Sequence, residues 1–183
     1  AKQAPVLIMA GGTGGHIFPA LAVADAIKSQ DVPVIWLGTA KGLESKIIPK
    51  EGIDIEYIRI GGLRGKGLVH KVLAPFKIID AVMQALKIMR RINPRSVLGM
   101  GGYVTGPGGI AAWLMGKPLY IHEQNAVAGL TNRILAKISK KVFEAFPGSF
   151  MQMTKLSCSG NPVRKEFYQL DDVERRLAER EGR

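Results

Sequence analysis

Six short apolar runs, each followed by a turn and then by helix-like spacing, constrain this chain more than any other feature. The runs are APVLIMA (4–10), VPVIWLG (32–38), IDIEYIRI (53–60), RSVLGM (95–100), KPLYIHE (117–123) and KKVFEAF (140–146). Most are continuously apolar, as strands covered on both faces require, while 53–60 alternates. Between them lie helical patterns at 18–30, 43–50, 74–92, through Trp113, and at 128–139. Pro19 and Pro75 are expected near helix starts, where a missing N–H is harmless. Strands alternating with helices predict an α/β domain: a doubly wound, Rossmann-like parallel sheet.

In such a sheet, ligands bind beyond the C-terminal strand ends, where strand order reverses. The residues to read are therefore those just after each strand. After the first strand comes GGTGGH (11–16), and after the fourth GGYVTGPGG (101–109). Neither is a Walker loop, since no lysine follows the glycines. The first does not complete the dinucleotide fingerprint, because Ile17 stands where its last glycine belongs. Glycine loops opening into helices still present backbone N–H groups and a positive helix end to an anion. Two such loops argue for phosphate more strongly than one; the alternative for each is a tight strand–helix turn.

His16 closes the first loop. A neutral imidazole there can take a proton from a hydroxyl near neutral pH; the alternative is a structural or capping residue. The fifth strand ends in His122, Glu123, Gln124 and Asn125, four polar residues that are costly to bury without partners. Glu123 is a second candidate base, or orients one, or orients sugar hydroxyls. Asn125 alternatively caps the next helix. No second histidine follows His122–Glu123 at helical spacing, so no metal is expected, and no cofactor either.

Charge is uneven. Residues 61–95 carry eight Lys or Arg against one acid, Asp80, within an overall net charge of +11. A local excess suggests an anionic partner. Val72, Phe76, Ile79 and Met83 fall on one helical face, and Lys71, Lys77, Lys87, Arg90 and Arg91 surround it. With Trp113 nearby, that pattern suits an anionic bilayer surface; a core-facing stripe is the alternative. Nucleic acid is not expected as a partner: aromatic content is 7% and no recognition motif is present. The lone cysteine, Cys158, suits a reducing compartment and is expected to be buried.

The motifs GGTGGHIFPALAVA, IGGLRGKG, LGMGGYVTGPGGIAAW, HEQNAVAGLTNR and GNPVR occur in this order. Over residues 5–165 the chain resembles the MurG family of peptidoglycan glycosyltransferases. The resemblance implies the N-terminal half of a GT-B fold: an acceptor-side domain over 1–165 and a linker or terminal helix over 166–183. The nucleotide-sugar domain is expected to be missing, which would leave the fragment without turnover. The implied reaction carries N-acetylglucosamine from UDP-GlcNAc to the muramyl 4-hydroxyl of lipid I, with inversion, at the cytoplasmic face of the bacterial inner membrane. His16 becomes the candidate base. Thr13, Gly14, Gly15, Asn125 and Arg164 match donor-contacting positions, and Gly11, Gly12, Gly101, Gly102 and Tyr103 match the acceptor diphosphate loops. A non-enzymatic anion- or membrane-binding module is the competing reading.

Overall fold

The computed structural model describes residues 3–60, 68–150 and 153–164, with backbone only for 68–72. Seven strands form one sheet, all neighbours parallel, in the order β3-β2-β1-β4-β5-β6-β7. They are β1 (Val6–Ala10), β2 (Val34–Gly38), β3 (Asp54–Tyr57), β4 (Ser96–Gly101), β5 (Leu119–Glu123), β6 (Lys141–Glu144) and β7 (Leu156–Cys158). The helices are α1 (Gly14–Lys28), α2 (Glu44–Ile47), which runs into a 3₁₀ turn, α3 (Leu68–Ile92), α4 (Thr105–Leu114) and α5 (Leu130–Ile138).

The doubly wound sheet is as expected, and each face has its own core. On one face α1 lays Ile17, Ala20, Leu21 and Ala24 over Ile8, Trp36 and Met100. On the other, α3, α4 and α5 contribute Ala81, Ala85, Met89, Ala111, Ala112, Leu135 and Ala136 against Leu7, Met9, Val97 and Ile121. Each fully buried leucine, isoleucine or methionine contributes about 1.5–3 kcal/mol. Trp36 Nε1 donates to the Ala10 carbonyl at 2.8 Å, tying β2 to the end of β1.

Several boundaries differ from expectation. α1 begins at Gly14, so Gly14, Gly15 and His16 form its first turn rather than a loop. The Thr13 carbonyl accepts from His16 N–H at 3.1 Å and Ile17 N–H at 3.2 Å, which starts the helix early. Pro19 therefore lies inside α1, and Pro75 inside α3. β7 was not expected: it is three residues long and only half-buried. Cys158, on that strand, is exposed rather than buried. The expected basic loop at 61–67 and the terminal helix at 166–183 lie outside the described residues.

Candidate active site

Strand order reverses between β1 and β4, and the helices that follow these two strands cover opposite faces. The crevice between them is where a ligand fits such a sheet. Gly11 N–H donates to the Gly101 carbonyl at 3.3 Å across it. Gly102 has φ +89°, and a Cβ there would stand 2.2 Å from the Gly11 oxygen. Gly101 has φ +114°, and a Cβ there would meet His16 Nδ1 at 2.6 Å. The two glycine loops interlock, and only glycine permits it. Buried Thr105 locks the join: its Oγ1 accepts from Gly101 N–H at 3.2 Å and lies 2.9 Å from the Gly101 carbonyl and 3.3 Å from that of Met9.

This interlocking corrects one expectation. The N–H groups of Gly11, Gly12 and Gly101 are engaged inside the protein, the second by Glu44 Oε2 at 3.1 Å. Glu44 is fully buried and also accepts from Thr39 N–H and Thr39 Oγ1, both at 2.8 Å. It holds the loop from beneath, and a phosphate at the Gly12 amide would have to displace a carboxylate. The donors that face outward are at the helix starts. Neither α1 nor α4 has a side-chain cap; His16 N–H and Thr105 N–H are taken by the Thr13 and Gly102 carbonyls, and the remaining first-turn N–H groups are those a helix start leaves open. Gly14 and Gly15 supply these groups in α1, next to Thr13 at its N-cap. Gly11, Gly12 and Tyr103 do share a cavity of about 230 Å³ with Lys41 at its edge.

His16 is partly buried, and its Nδ1 lies 3.0 Å from Gln124 Oε1. Gln124 Nε2 lies 3.1 Å from His122 Nδ1 and 3.3 Å from the His122 carbonyl. His122 Nε2 lies 3.1 Å from the Gly160 carbonyl. Burial pushes the His122 pKa down, against the Gly160 hydrogen bond and the Glu123 charge, which raise it.

Glu123 is 1% exposed. One carboxylate oxygen accepts from Asn125 N–H (3.0 Å) and Asn125 Nδ2 (2.7 Å), the other from Gly129 N–H (3.1 Å) and Asn132 Nδ2 (2.9 Å). With four donors and almost no exposure, it is not presented to a substrate hydroxyl. It shapes the β5–α5 turn, and the expectation of a base there gives way to this role. Asn125 does not cap α5, whose N-cap is Gly129. Its amide nitrogen is held by Glu123 and the residue is exposed at the crevice.

Arg164 is not brought to the crevice. It pairs with Glu51 at 3.0 Å and lies 3.7 Å from Asp25. Asp25 is nine residues beyond His16 along α1, about 14 Å at 1.5 Å per residue. On α3, Phe76, Ile79 and Met83 are 66%, 59% and 56% exposed, so the stripe is not core. Lys77 is exposed beside them, and Trp113, 54% exposed, projects from the adjacent α4. The side chains of Lys71 and Val72 lie outside the described residues. Among the described residues, no helix is long and apolar enough to cross a membrane.

Sequence reasoning singled out His122 and Gln124 at a strand end but gave them no role, and it passed over Glu44 and Thr105. The run of four polar residues after β5 was the available signal; Glu44 and Thr105 had none.

Fold and crevice define a Rossmann-like domain with two uncapped helix starts and a histidine at its switch point. Residues 6–144 match the model of the glycosyltransferase family 28 N-terminal domain. The chain belongs to that family. It is 56% identical over 177 residues to the UDP-N-acetylglucosamine–N-acetylmuramyl-(pentapeptide) pyrophosphoryl-undecaprenol N-acetylglucosamine transferase of Nitrosococcus oceani, covering 97% of this chain and 49% of the relative. The same identity and coverage hold for the enzyme of that name from Vibrio parahaemolyticus. The crystal structure of Acinetobacter baumannii MurG is similar with a TM-score of 0.75 and 47% identity, over 86% of this chain and 45% of that one. This chain thus spans about half the length of the relatives it matches.

Proposed function

We propose that this chain is the acceptor-side half of an inverting glycosyltransferase that moves N-acetylglucosamine from UDP-GlcNAc to the muramyl 4-hydroxyl of lipid I. The relatives' names supply the substrates, and the crevice supplies a chemistry that fits. The 4-hydroxyl oxygen attacks the anomeric carbon as the bond to UDP breaks. The hydroxyl proton passes to His16 Nε2, and UDP leaves with the bonding electrons. The observation that carries this reading is His16 in the first turn of α1, beside an uncapped helix start. Anionic groups favour that position. The acceptor diphosphate lies along Gly102, Tyr103 and the start of α4, with Lys41 as a further cation, while Thr13, Gly14, Gly15 and Asn125 face the donor. Arg164 reaches the donor only by leaving Glu51 and Asp25.

Docking to the membrane goes through α3. Phe76 and Ile79 insert among lipid chains, with Trp113 at the interface and Lys71, Lys77 and their neighbours on anionic headgroups. Val72 belongs to the same stripe by its spacing in the sequence. On this reading the crevice works at the cytoplasmic face of the inner membrane, on a lipid-linked acceptor.

The test joins this sequence to the aligned remainder of the Nitrosococcus oceani relative and measures transfer from labelled UDP-GlcNAc to a lipid I analogue. His16→Ala is expected to lower kcat by about 10²–10⁴-fold, the range for a general base, with KM for the donor little changed. An unchanged kcat removes His16 as the base.

A further inference from the structure

We propose that Gln124 and His122 are positioning residues that fix the ring tautomer of His16, leaving its Nε2 as the basic nitrogen. The catalytic consequence rests on the function proposed above; the tautomer itself does not.

Hydrogen-bond direction can be settled from the carbonyls outward, because a carbonyl only accepts. Gly160 O faces His122 Nε2, so that nitrogen carries the proton. A ring buried to 4% exposure is held neutral by desolvation, which leaves His122 Nδ1 as an acceptor. Gln124 then meets two acceptors on one side, His122 Nδ1 and the His122 carbonyl. Both call for the amide NH₂, so the amide oxygen is turned the other way, toward His16. That oxygen only accepts, so His16 Nδ1 must donate at 3.0 Å. His16 Nε2 is left with its lone pair and no hydrogen-bond partner among the described residues.

The opposite assignment fails at each link. With the proton on His16 Nε2, two lone pairs would face each other across 3.0 Å. Rotating the Gln124 amide to relieve this would turn its oxygen onto the His122 carbonyl. Gln124 is 7% exposed, so water cannot readily repair either mismatch. A histidine base held in the wrong tautomer loses orders of magnitude in turnover, as the serine-protease triad demonstrates. The relay therefore gives two residues remote from the substrate a measurable effect on the reacting nitrogen.

Long-range ¹H–¹⁵N correlation spectra of the ¹⁵N-histidine-labelled chain read tautomers directly. The chain has three histidines, His16, His70 and His122, and single variants assign them. At about pH 8, where an ordinary imidazole is neutral, the wild type should show His16 protonated on Nδ1 and His122 on Nε2. Gln124→Met should shift His16 toward the Nε2-protonated form preferred in water. Gln124→Glu gives up the two bonds to His122 but keeps an acceptor toward His16, and should retain the Nδ1–H form. His16 protonated on Nε2 in the wild type, or on Nδ1 despite Gln124→Met, overturns the proposal. Should Gln124→Met not fold, the wild-type spectrum still decides. In the joined protein, Gln124→Met should lower kcat about 10–10²-fold with little change in KM, and Gln124→Glu should recover part of the loss. A negative spectrum with an inactive His16→Ala enzyme sinks the relay alone. An active His16→Ala enzyme sinks the base, whatever its tautomer.

Discussion

His16 Nδ1 and Gln124 Oε1 meet at 3.0 Å although 108 residues separate them in the chain. The contact joins the first turn of α1 to the end of β5 across the crevice above β1 and β4. It makes the histidine part of the sheet's hydrogen-bonded frame rather than a side chain free to rotate at a helix start. Gly101 shares in this, since any side chain there would occupy the space of the imidazole.

The crevice glycines separate two effects that a sequence cannot. Gly12 and Gly102 both have φ +89°, but a Cβ at Gly12 meets nothing within 4 Å, whereas one at Gly102 stands 2.2 Å from the Gly11 oxygen. Gly12→Ala should cost only the left-handed backbone strain, about 1–2 kcal/mol. Gly102→Ala must also push backbone from backbone and should cost markedly more or prevent folding. Urea unfolding of both variants checks the order; equal costs would show that the loops do not interlock as described.

Thr105 tests the lock itself. Thr105→Val keeps the shape and removes the hydroxyl, leaving the Gly101 N–H without its acceptor. A buried donor without a partner costs about 1–3 kcal/mol. The unfolding midpoint should fall accordingly, with an unchanged denaturant slope.

Glu123 is expected to act through structure. Glu123→Gln puts an NH₂ where an oxygen now accepts from two donors, on either side of the carboxylate. A loss of about 2–3 kcal/mol is expected, since hydrogen bonds to a charged acceptor are the stronger kind. In the joined protein KM for the donor should rise because Asn125 loses its anchor. A purely catalytic defect with undiminished stability would restore Glu123 as a base.

What was legible in the sequence follows from how local each signal is. Six strands were readable because each is a short apolar run ended by a glycine or polar cluster, and the switch-point rule then selected the two loops that meet above β1 and β4. β7 was not, because Leu156–Cys158 is too short and too exposed to leave a pattern. Gly14 to His16 read as loop because glycines weaken a helix, yet the Thr13 carbonyl starts one there. Glu123 looked catalytic because a buried acid after a strand has the same signature whether it meets substrate or four internal donors. Arg164 was placed by its motif, but its ion pairs with Glu51 and Asp25 depend on how residues 159–164 cross the sheet. The relay through Gln124 and His122 ends on a backbone carbonyl, which no residue type announces.

The stripe on α3 should read out as lipid binding. Phe76→Ser with Ile79→Ser removes two side chains that already face solvent, so stability should change by less than about 0.5 kcal/mol. Binding to vesicles containing anionic lipid should nevertheless fall by about tenfold or more. Lys77→Glu reverses a charge, a change of two at about 1 kcal/mol each near an anionic surface, and should weaken binding by about thirtyfold, and high salt should reduce binding of the wild type. Undiminished vesicle binding by both variants would clear α3 of the role.

His122 predicts a pH dependence with a defined sign. Its pKa in the folded protein is lowered from 6.5 by burial. Below that value the unfolded chain takes up a proton that the folded ring resists. The unfolded state then binds more protons, and stability falls as pH falls. The contribution is fully present above pH 6.5 and is lost as pH drops from there through the folded value. The slope from this one group cannot exceed about 1.4 kcal/mol per pH unit. His122→Asn removes the titrating ring. Urea midpoints measured between about pH 7.5 and pH 5 should therefore fall less steeply in the variant than in the wild type. Parallel slopes would mean that the ring charges as readily in the fold as outside it, and the neutral link between Gly160 and Gln124 would fail with it.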